Sequence, residues 1–330
     1  MTVILHRVPM IFPGQASQSV GMARDLADGS GPAAEFLKEV NTVLGENLTG
    51  IMFEGPGEVL TETRNAQPAI LAHSVAVSLA LRDLGVVPSL VAGHSLGEFS
   101  AAVAAGALTP ADGLRLVRKR GELMFAAGQE VPGTMAAVLG LGGDRVREIC
   151  AQVVSPADGV VVLANHNSDT QVAISGSVAA VASAGRALTE AGARKVIPLN
   201  VSGAFHSPLL EGAAVQFSDF LDGFDITSPT VPLVANVHAE PVHTGAGLAD
   251  GFARQLTSPV LWHDIMELIT GGGGPKPSVV LEVGPGRVLT NLARRAYPEV
   301  KFLPVGTSGD LEQVLDFLAE NDPGGAPDRS

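Results

Sequence analysis

Short runs of apolar and β-branched residues recur along the chain, and longer stretches with helical periodicity separate them. Runs that end at glycine or a loop are typical of strands buried on both faces, and their alternation with helices predicts a parallel α/β sheet. We expect the last run to end the ordered part of the chain. The runs are VPMIF (8–12), SLVAG (89–93), VPLVAN (231–236), SVVLEV (278–283) and KFLPVG (301–306).

Three candidate functional segments directly follow these predicted strands. Gln15 and Ser95 come after the first two runs, and a Gly-Pro-Gly turn at 284–286 comes after SVVLEV. Ligands of open parallel sheets bind beyond the carboxyl ends of the strands. The sequence therefore predicts a functional site at that edge of the sheet.

The middle of the chain follows a different order, β-α-β-β-α-β, which is the ferredoxin-like pattern. We predict a ferredoxin-like small domain, residues 132–202, inserted into a large α/β domain formed by residues 1–131 and 203–320. A cleft between two such domains suits a substrate. The glycine-rich stretch 271–275 is predicted to be a loop, and residues 321–330 a disordered tail. The predicted small-domain strands are 134–141, 159–166, 171–176 and 194–200, with helices from 144 and near 178–190.

Composition and charge narrow the class of protein. The hydrophobic fraction of 46% excludes disorder of the whole chain, and the net charge of −13 argues against nucleic acid as the main partner. Prolines, His6 and Arg7 interrupt the apolar start, and no run is long enough to span a membrane. A single cysteine, Cys150, excludes an internal disulfide and a cysteine-based metal cluster. We predict a cytoplasmic protein without membrane association or a metal site.

The stretch LVAGHSLGEFSAA (90–102) contains the pattern G-x-S-x-G, formed by Gly93, Ser95 and Gly97. Such a pattern between a strand and a helix can be a nucleophile elbow, in which the serine sits on a sharp turn with its hydroxyl exposed. The motif alone is weak evidence, because glycine accounts for 39 of the 330 residues. A base and an oxyanion hole must come from elsewhere in the chain.

His206 in NVSGAFHSPLL is the first candidate base, because it lies in a loop where the chain leaves the predicted small domain. A loop-packing histidine is the alternative. We expect His94 to point away from Ser95 and His73 to be packed within a helix, whereas His166 in an Asn-rich loop could line the cleft. No aspartate has motif support as the group that orients the base, so a backbone carbonyl could fill that role.

Arg120 interrupts the apolar stripe of a predicted helix that begins at Thr109 and Pro110. A guanidinium within an apolar stripe needs a partner, because burial of an unpaired charge is costly. One interpretation is an internal ion pair or a side chain that reaches solvent. The other is a site for a substrate carboxylate, which arginine binds in bidentate fashion. The stripe consists of Leu116, Val117, Leu123 and Met124.

Six motifs in the same order resemble the malonyl-CoA:acyl-carrier-protein transacylases, the acyltransferase family of fatty acid and polyketide synthesis. The resemblance runs from about Phe12 to beyond Leu289. It implies an α/β-hydrolase-like core with an inserted ferredoxin-like domain. The motifs are FPGQASQ (12–18), GHSLGEFSA (93–101), RKRGELM (118–124), GAFHSP (203–208), RQLTSPVLW (254–262) and EVGPGRVLT (282–290).

The resemblance also implies catalytic roles. Ser95 would be the nucleophile and His206 the base, oriented by the main-chain carbonyl of Gln255. The backbone N–H groups of Gln15 and Leu96 would form the oxyanion hole. Arg120 would bind the free carboxylate of the malonyl group. The other residues expected at the substrate are Phe205, Asn167, Met124 and His94.

The implied reaction is malonyl transfer from malonyl-CoA, through a seryl ester, to the phosphopantetheine thiol of an acyl carrier protein, with no bound cofactor. A leucine after the serine and a phenylalanine before the histidine, here Leu96 and Phe205, accompany malonyl specificity in related acyltransferases. Two alternatives stay open: a polyketide-pathway acyltransferase for another acyl unit such as methylmalonyl, and a serine acyl hydrolase. A non-catalytic module would not need Ser95, His206 and Arg120 together.

The implied partner is acidic, and so is this chain, so docking needs a local basic patch. We expect the protein to be a monomer. The chain departs from the usual family spelling FPGQGSQ at Ala16, which would be strained if that position needs a positive φ. The candidate docking residues are Arg194, Lys195, Arg287, Arg294 and Arg295.

Overall fold

Two separate β-sheets organise the protein. The structure, a computed structural model, describes residues 5–153, 159–271 and 276–321. The predicted tail beyond residue 321 and most of the predicted glycine-rich loop lie outside the described residues. In the described part of the chain, the strands are β1 His6–Phe12, β2 Val86–Gly93, β3 Gly133–Leu139, β4 Val161–Ser168, β5 Gln171–Ser177, β6 Lys195–Pro198, β7 Leu233–Val234, β8 Pro241–Val242, β9 Val279–Val283 and β10 Lys301–Val305.

Helices connect these strands and cover both sheets. A short 3₁₀ helix, Pro208–Leu210, precedes the tenth α-helix. Across the described ranges, the helices are α1 Arg24–Ala27, α2 Pro32–Leu44, α3 Leu48–Glu54, α4 Gly57–Thr61, α5 Thr63–Asp83, α6 Gly97–Ala104, α7 Pro110–Glu130, α8 Gly143–Val153, α9 Val178–Glu190, α10 Glu211–Leu221, α11 Gly245–Gln255, α12 Trp262–Thr270, α13 Val288–Ala296 and α14 Ser308–Glu320.

The larger sheet has six strands in the order β10-β9-β1-β2-β7-β8. All neighbours run parallel except β7 and β8, which pair in antiparallel fashion. The prediction of a parallel sheet therefore holds for all but the edge strand β8. The predicted strand 231–236 contains only the two-residue strand β7, since Asn236 belongs to the turn that leads back to β8.

Both faces of the larger sheet are buried, as the continuous apolar runs predicted. In β1, Met10 and Phe12 belong to one hydrophobic cluster, and Ile11 between them belongs to another. This alternation follows from the two-residue period of a strand. Helices therefore cover both sides of the sheet.

The prediction that the run 301–306 ends the ordered chain is wrong, because helix α14 follows β10. Thr307 and Asp310 form a capping box that starts this helix. Leu311, Val314 and Leu318 recur on one face and are buried. The helix thus contributes to the core of the large sheet.

The smaller sheet has four strands in the order β4-β5-β3-β6, and every neighbouring pair is antiparallel. With α8 and α9 packed against it, this is the predicted ferredoxin-like arrangement. Its strands lie between residues 133 and 198. The exact domain boundaries, 132 and 202, stay a prediction.

One strand of the small sheet is joined to the large part of the protein. Asn165 forms a parallel bridge with Val260, and the amide of His166 donates to the Val260 carbonyl at 2.9 Å. Val260 lies just before α12. Strand β4 is therefore held beside the loops at the end of the large sheet. No helix in the described ranges is both long and apolar enough to cross a membrane.

Candidate active site

Ser95 occupies the sharp turn between β2 and α6, with a positive φ of 51°. The two glycines of the motif allow this turn because no side chain would fit at either position. A Cβ atom on Gly93 would lie 1.9 Å from the carbonyl carbon of Gly97, and one on Gly97 would lie 2.1 Å from the Phe12 carbonyl oxygen. Strand and helix thus approach each other as a nucleophile elbow requires.

Asn236 fixes this turn from the neighbouring strand end. Its Oδ1 accepts a hydrogen bond from the Ser95 amide at 2.7 Å, and its Nδ2 donates to the Gly93 carbonyl at 2.7 Å. The Asn236 side chain is completely buried. The strained serine is therefore held by two hydrogen bonds from a residue that is distant in sequence.

His206 lies within hydrogen-bond distance of the serine. Ser95 Oγ and His206 Nε2 are 2.8 Å apart, and His206 Nδ1 faces the backbone carbonyls of Gln255 at 2.9 Å and Ser258 at 3.2 Å. A carbonyl can only accept, so Nδ1 carries the ring proton and Nε2 is the free acceptor. This tautomer is the one that can take a proton from Ser95.

Burial, together with the nearby Arg120 charge, lowers the pKa of His206 to about 3. The hydrogen bonds to the Gln255 and Ser258 carbonyls act in the opposite direction. The imidazole is therefore neutral at physiological pH. A neutral ring with a free Nε2 is ready to act as a general base.

Arg120 on α7 is buried, with an exposed fraction of 1%, and it points at the same serine. Nη1 donates to Gln67 Oε1 at 2.8 Å, and Nη2 donates to Gln255 Oε1 at 2.8 Å and to Ser95 Oγ at 3.1 Å. The hydrogen-bond partners of Arg120 are thus neutral side chains. The interpretation of Arg120 as one half of a direct internal ion pair is therefore wrong. Burial lowers the pKa of Arg120 to about 10, so the side chain stays charged at neutral pH.

Glu98 in the first turn of α6 is an acidic group whose charge acts on Arg120 and opposes the lowering of its pKa. Its carboxylate accepts from the side-chain amide of Gln255 and from the backbone amide of Asn236. Burial raises the pKa of Glu98 to about 7, whereas those hydrogen bonds and the Arg120 charge oppose the shift. Arg120 and Glu98 are thus linked through the side chain of Gln255.

Two backbone N–H groups beside the serine are free to bind a ligand. Among the described residues, the amides of Gln15 and Leu96 have no hydrogen-bond partner. Both residues line the same cavity as Ser95. Ala16, next to Gln15, has a φ of 77°, so the alanine that departs from the family spelling does occupy a left-handed position.

The site opens into a cavity of about 700 Å³ between the end of the large sheet and the open face of the small sheet. Strands β3, β4 and β5 contribute one wall, and α13 contributes another. The cavity contains all the residues predicted at the substrate, and Gln255 lies behind it. The predicted residues on its surface are Gln15, His94, Ser95, Leu96, Arg120, Met124, Asn167, Phe205 and His206.

His94 and His166 differ in their relation to this cavity. His94 lines it, and its Nε2 pairs with Asn167 Oδ1 at 2.9 Å rather than with the serine. His166 was expected in a loop and lies in strand β4, where alternate residues face opposite sides. Asn165 and Asn167 face the cavity, and His166 turns away toward Asp264.

Sequence reasoning missed three polar residues that hold the site together. Gln67 lies on the buried helix α5, Glu98 was noted only as part of the serine motif, and Asn236 is the last residue of the run VPLVAN. Two of them had a signal: Gln67 is polar within an apolar helix, and Asn236 is the polar residue that ends a predicted apolar strand.

The candidate docking residues lie on the surface. Arg287 precedes α13, whose residues Val288 and Leu289 line the cavity, and Arg294 and Arg295 lie in the last turn of the same helix. Arg194 and Lys195 lie at the start of β6. All five are exposed, and within the described residues none forms an ion pair.

The chain is similar over nearly its whole length to known proteins. Residues 10–312 match the model of a family described as acyl transferase domain. A malonyl CoA-acyl carrier protein transacylase from Bacillus subtilis (strain 168) is 37% identical over 316 residues, which cover 96% of this chain and 98% of that protein. One from Haemophilus influenzae is 38% identical over 317 residues, which cover 95% and 100%.

Solved structures have the same fold. An acyl carrier protein S-malonyltransferase from Vibrio cholerae aligns with a TM-score of 0.87 at 36% identity, over 93% of this chain and 99% of that chain. A malonyl-transacylase in complex with a holo type II PKS acyl-carrier protein aligns with a TM-score of 0.88 at 37% identity, over 94% and 99%.

Proposed function

Because this chain belongs to the acyl transferase domain family, we propose that it transfers a malonyl group from malonyl-CoA to the phosphopantetheine thiol of an acyl carrier protein. The observation that carries the proposal is the contact of Arg120 with both Ser95 and Gln255. This contact places a buried cation, which can hold a free carboxylate, beside a serine nucleophile and its histidine base. A simple serine hydrolase has no need of that cation.

In the first half-reaction, Ser95 Oγ attacks the thioester carbonyl of malonyl-CoA while His206 Nε2 accepts the hydroxyl proton. The proton then passes from His206 to the departing CoA thiolate, and a malonyl-serine ester remains. The Gln255 and Ser258 carbonyls hold Nδ1–H and thereby stabilise the imidazolium that forms. They take the place of an aspartate.

The tetrahedral oxyanion is stabilised by the free amides of Gln15 and Leu96. The Leu96 amide lies at the start of α6, where the helix dipole adds positive potential. One such donor typically contributes about 3–4 kcal/mol to transition-state stabilisation. The elbow turn held by Asn236 fixes the Leu96 amide beside the nucleophile.

Arg120 binds the free carboxylate of the malonyl group. Its Nη2 donates to Ser95 Oγ at 3.1 Å, and a substrate carboxylate would replace that acceptor. The same contact supplies selectivity, because acetyl-CoA would leave a buried guanidinium with one acceptor fewer. Phe205 and Leu96 line the cavity beside it, and their bulk favours malonyl over methylmalonyl.

In the second half-reaction, the phosphopantetheine thiol of the carrier protein gives a proton to His206 and attacks the ester. Ser95 leaves with that proton, and the kinetics are ping-pong.

We propose that the carrier protein binds to the exposed basic residues Arg194, Lys195, Arg287, Arg294 and Arg295. We also propose that the enzyme is a cytoplasmic monomer and that residues 132–202 form its small domain.

Intact-protein mass spectrometry after brief mixing with malonyl-, methylmalonyl- or acetyl-CoA tests this function. We expect a malonyl adduct that is absent in Ser95→Ala and disappears when carrier protein is added. Loss of the adduct to water as fast as to the carrier would favour a hydrolase. A methylmalonyl adduct that forms faster would favour the polyketide alternative.

A second arm of this experiment uses Arg120→Ala. We expect the activation free energy of malonyl transfer to rise by about 2–5 kcal/mol, because one partner of a charge pair is removed. Acetyl transfer should fall much less. An unchanged ratio of the malonyl and acetyl rates would contradict the role of Arg120.

A further inference from the structure

Glu98 is a buried carboxylate that the proposed mechanism does not use. It lies three residues after the nucleophile, with an exposed fraction of 1%. Both of its oxygens accept from donors: one from the backbone amide of Asn236 at 3.2 Å, the other from Nε2 of Gln255. Neither oxygen faces the cavity, so Glu98 contacts no substrate.

The side chain of Gln255 lies between Glu98 and Arg120, and these two residues determine its orientation. Gln255 Nε2 donates to Glu98 and to the Ser95 carbonyl at 3.0 Å, while Gln255 Oε1 accepts from Arg120 Nη2. A rotation of the amide by 180° would set its oxygen against two acceptors and its NH₂ group against a guanidinium donor. The Ser95 carbonyl and the ionised form of Glu98 only accept, and a guanidinium only donates. The hydrogen-bond partners at the two ends of the Gln255 amide therefore permit a single orientation of that amide.

We infer that Glu98 is a positioning residue that acts through Gln255: by accepting from the Gln255 amide, it keeps Gln255 Oε1 directed at Arg120 and so holds Arg120 Nη2 beside Ser95. The inference rests on the proposed function, because it assigns Glu98 to the selection of carboxylate-bearing acyl groups. The charge of Glu98 also acts on Arg120 without a direct hydrogen bond between them, which leaves the guanidinium available to a substrate.

Glu98→Gln tests the inference with almost no change in volume. The introduced amide has one acceptor for two donors. The backbone amide of Asn236 cannot rotate, so the oxygen of the introduced side chain stays with it and the new NH₂ group faces Gln255. The Gln255 amide then faces an NH₂ group, so it either turns over, which sets its oxygen against the Ser95 carbonyl, or shifts away, and either movement takes the aligned acceptor from Arg120. We expect the malonyl-to-acetyl ratio of kcat/KM to fall about tenfold or more, as for a lost hydrogen bond to a charged group.

Glu282→Gln is the matched control. Glu282 is likewise a buried carboxylate that accepts from two donors, the amides of Leu289 and Thr290, and it has no contact with Gln255 or Arg120. We expect this variant to lower stability and to leave the malonyl-to-acetyl ratio unchanged. Labelling by a neutral fluorophosphonate reports the state of Ser95 and His206 in each variant.

Two further variants separate positioning from general destabilisation. Glu98→Asp retains a group that only accepts, so it should preserve the ratio better than Glu98→Gln even where stability falls. Gln255→Met removes the amide, and adding Glu98→Gln to it should lower the ratio no further, because residues that act in series are not additive. This comparison remains available if Glu98→Gln alone does not fold.

The outcomes distinguish this inference from the proposed function. If Arg120→Ala lowers the ratio and Glu98→Gln does not, Glu98 is structural and the inference fails alone. Equal losses for Glu98→Asp and Glu98→Gln, or additive losses with Gln255→Met, would also overturn it. If Arg120→Ala leaves the ratio unchanged, the proposed function fails first.

Discussion

At the scale of single residues, the site depends on polar groups whose hydrogen-bond partners determine which of their atoms donate and which accept. His206 must carry its proton on Nδ1 because both atoms facing that nitrogen are carbonyl oxygens. Gln255 must present its oxygen to Arg120 because a carboxylate faces its other end. Preorganisation of this kind lowers the cost of reaching the transition state.

The lowered pKa of His206 predicts how serine reactivity depends on pH. The base is active only when neutral, so a pKa below the ordinary 6.5 keeps Ser95 reactive as pH falls through 6.5. We expect the rate of labelling by a neutral fluorophosphonate to decline only well below pH 6.5. In Arg120→Ala the decline should move to higher pH, since the guanidinium charge is the second cause of the shift.

The folded state must be monitored in that experiment. A histidine with a lowered pKa binds its proton more readily in the unfolded chain, so its contribution to stability is lost as pH falls below 6.5. Circular dichroism at each pH separates acid unfolding from protonation of the base. A half-loss of labelling at or above pH 6.5 in folded protein would show that the pKa of His206 is not lowered.

At the scale of elements, the position of Ser95, the proposed nucleophile, depends on how closely a helix can approach a strand. β2 ends and α6 begins within four residues, and the Gly97 position lies against the carbonyl of Phe12 in β1. The missing Cβ atoms, rather than a positive φ, are what these two glycines contribute. Ser95 itself carries the left-handed backbone.

Gly97→Ala should disrupt the elbow. The added Cβ would lie 2.1 Å from a backbone oxygen, so α6 must shift away from β1 and carry the Leu96 amide with it. We expect a loss of stability of about 1–3 kcal/mol, as for overpacked positions, and a loss of Ser95 labelling. Thermal unfolding and the labelling assay measure the two effects.

Gly251→Ala is the control for the same substitution in another helix. Gly251 lies inside α11, where a Cβ atom would meet no other atom within 4 Å. Helix propensity alone predicts a gain of about 0.5–1 kcal/mol there. If both variants behave alike, steric contact does not explain the glycine in the motif.

At the scale of the whole molecule, the active site exists only because two sheets meet. The large sheet brings Gln15, Ser95 and Asn236 to its strand ends, and the small sheet closes the opposite wall of the cavity. The bridge between Asn165 and Val260 couples the two, so Asn167 reaches His94 across the gap. The proposed substrate would therefore enter between the two sheets.

The charge distribution predicts where an acidic partner docks. The chain has a net charge of −13, yet Arg294 and Arg295 are exposed on the helix that lines the cavity. We expect the double variant Arg294→Glu, Arg295→Glu to raise KM for the carrier protein about tenfold or more and to leave serine malonylation by malonyl-CoA unchanged. The effect should diminish at high salt.

Arg145→Glu is the control for this charge reversal. Arg145 is an exposed arginine on α8 that does not line the cavity. We expect its reversal to leave KM for the carrier protein unchanged. A similar increase in both variants would mean that overall charge, rather than a docking site, determines the affinity.

The chain by itself determined the elements, the order of motifs and the identity of the chemically distinctive residues. Local periodicity and glycine spacing are encoded in neighbouring residues, so the described strands other than β8, the ferredoxin-like order and the elbow around Ser95 could be predicted. The Gly-x-Ser-x-Gly pattern and the arginine within an apolar stripe pointed to Ser95 and Arg120 for the same local reason.

Only the tertiary structure decided which groups meet. The tautomer of His206, the partners of Arg120 and the roles of Glu98 and Asn236 depend on contacts between residues 25 to 157 positions apart. The antiparallel edge strand β8 likewise follows from how the chain packs against the finished sheet. Hydrogen-bond direction and burial are properties of surroundings assembled from distant segments, and no local pattern records them.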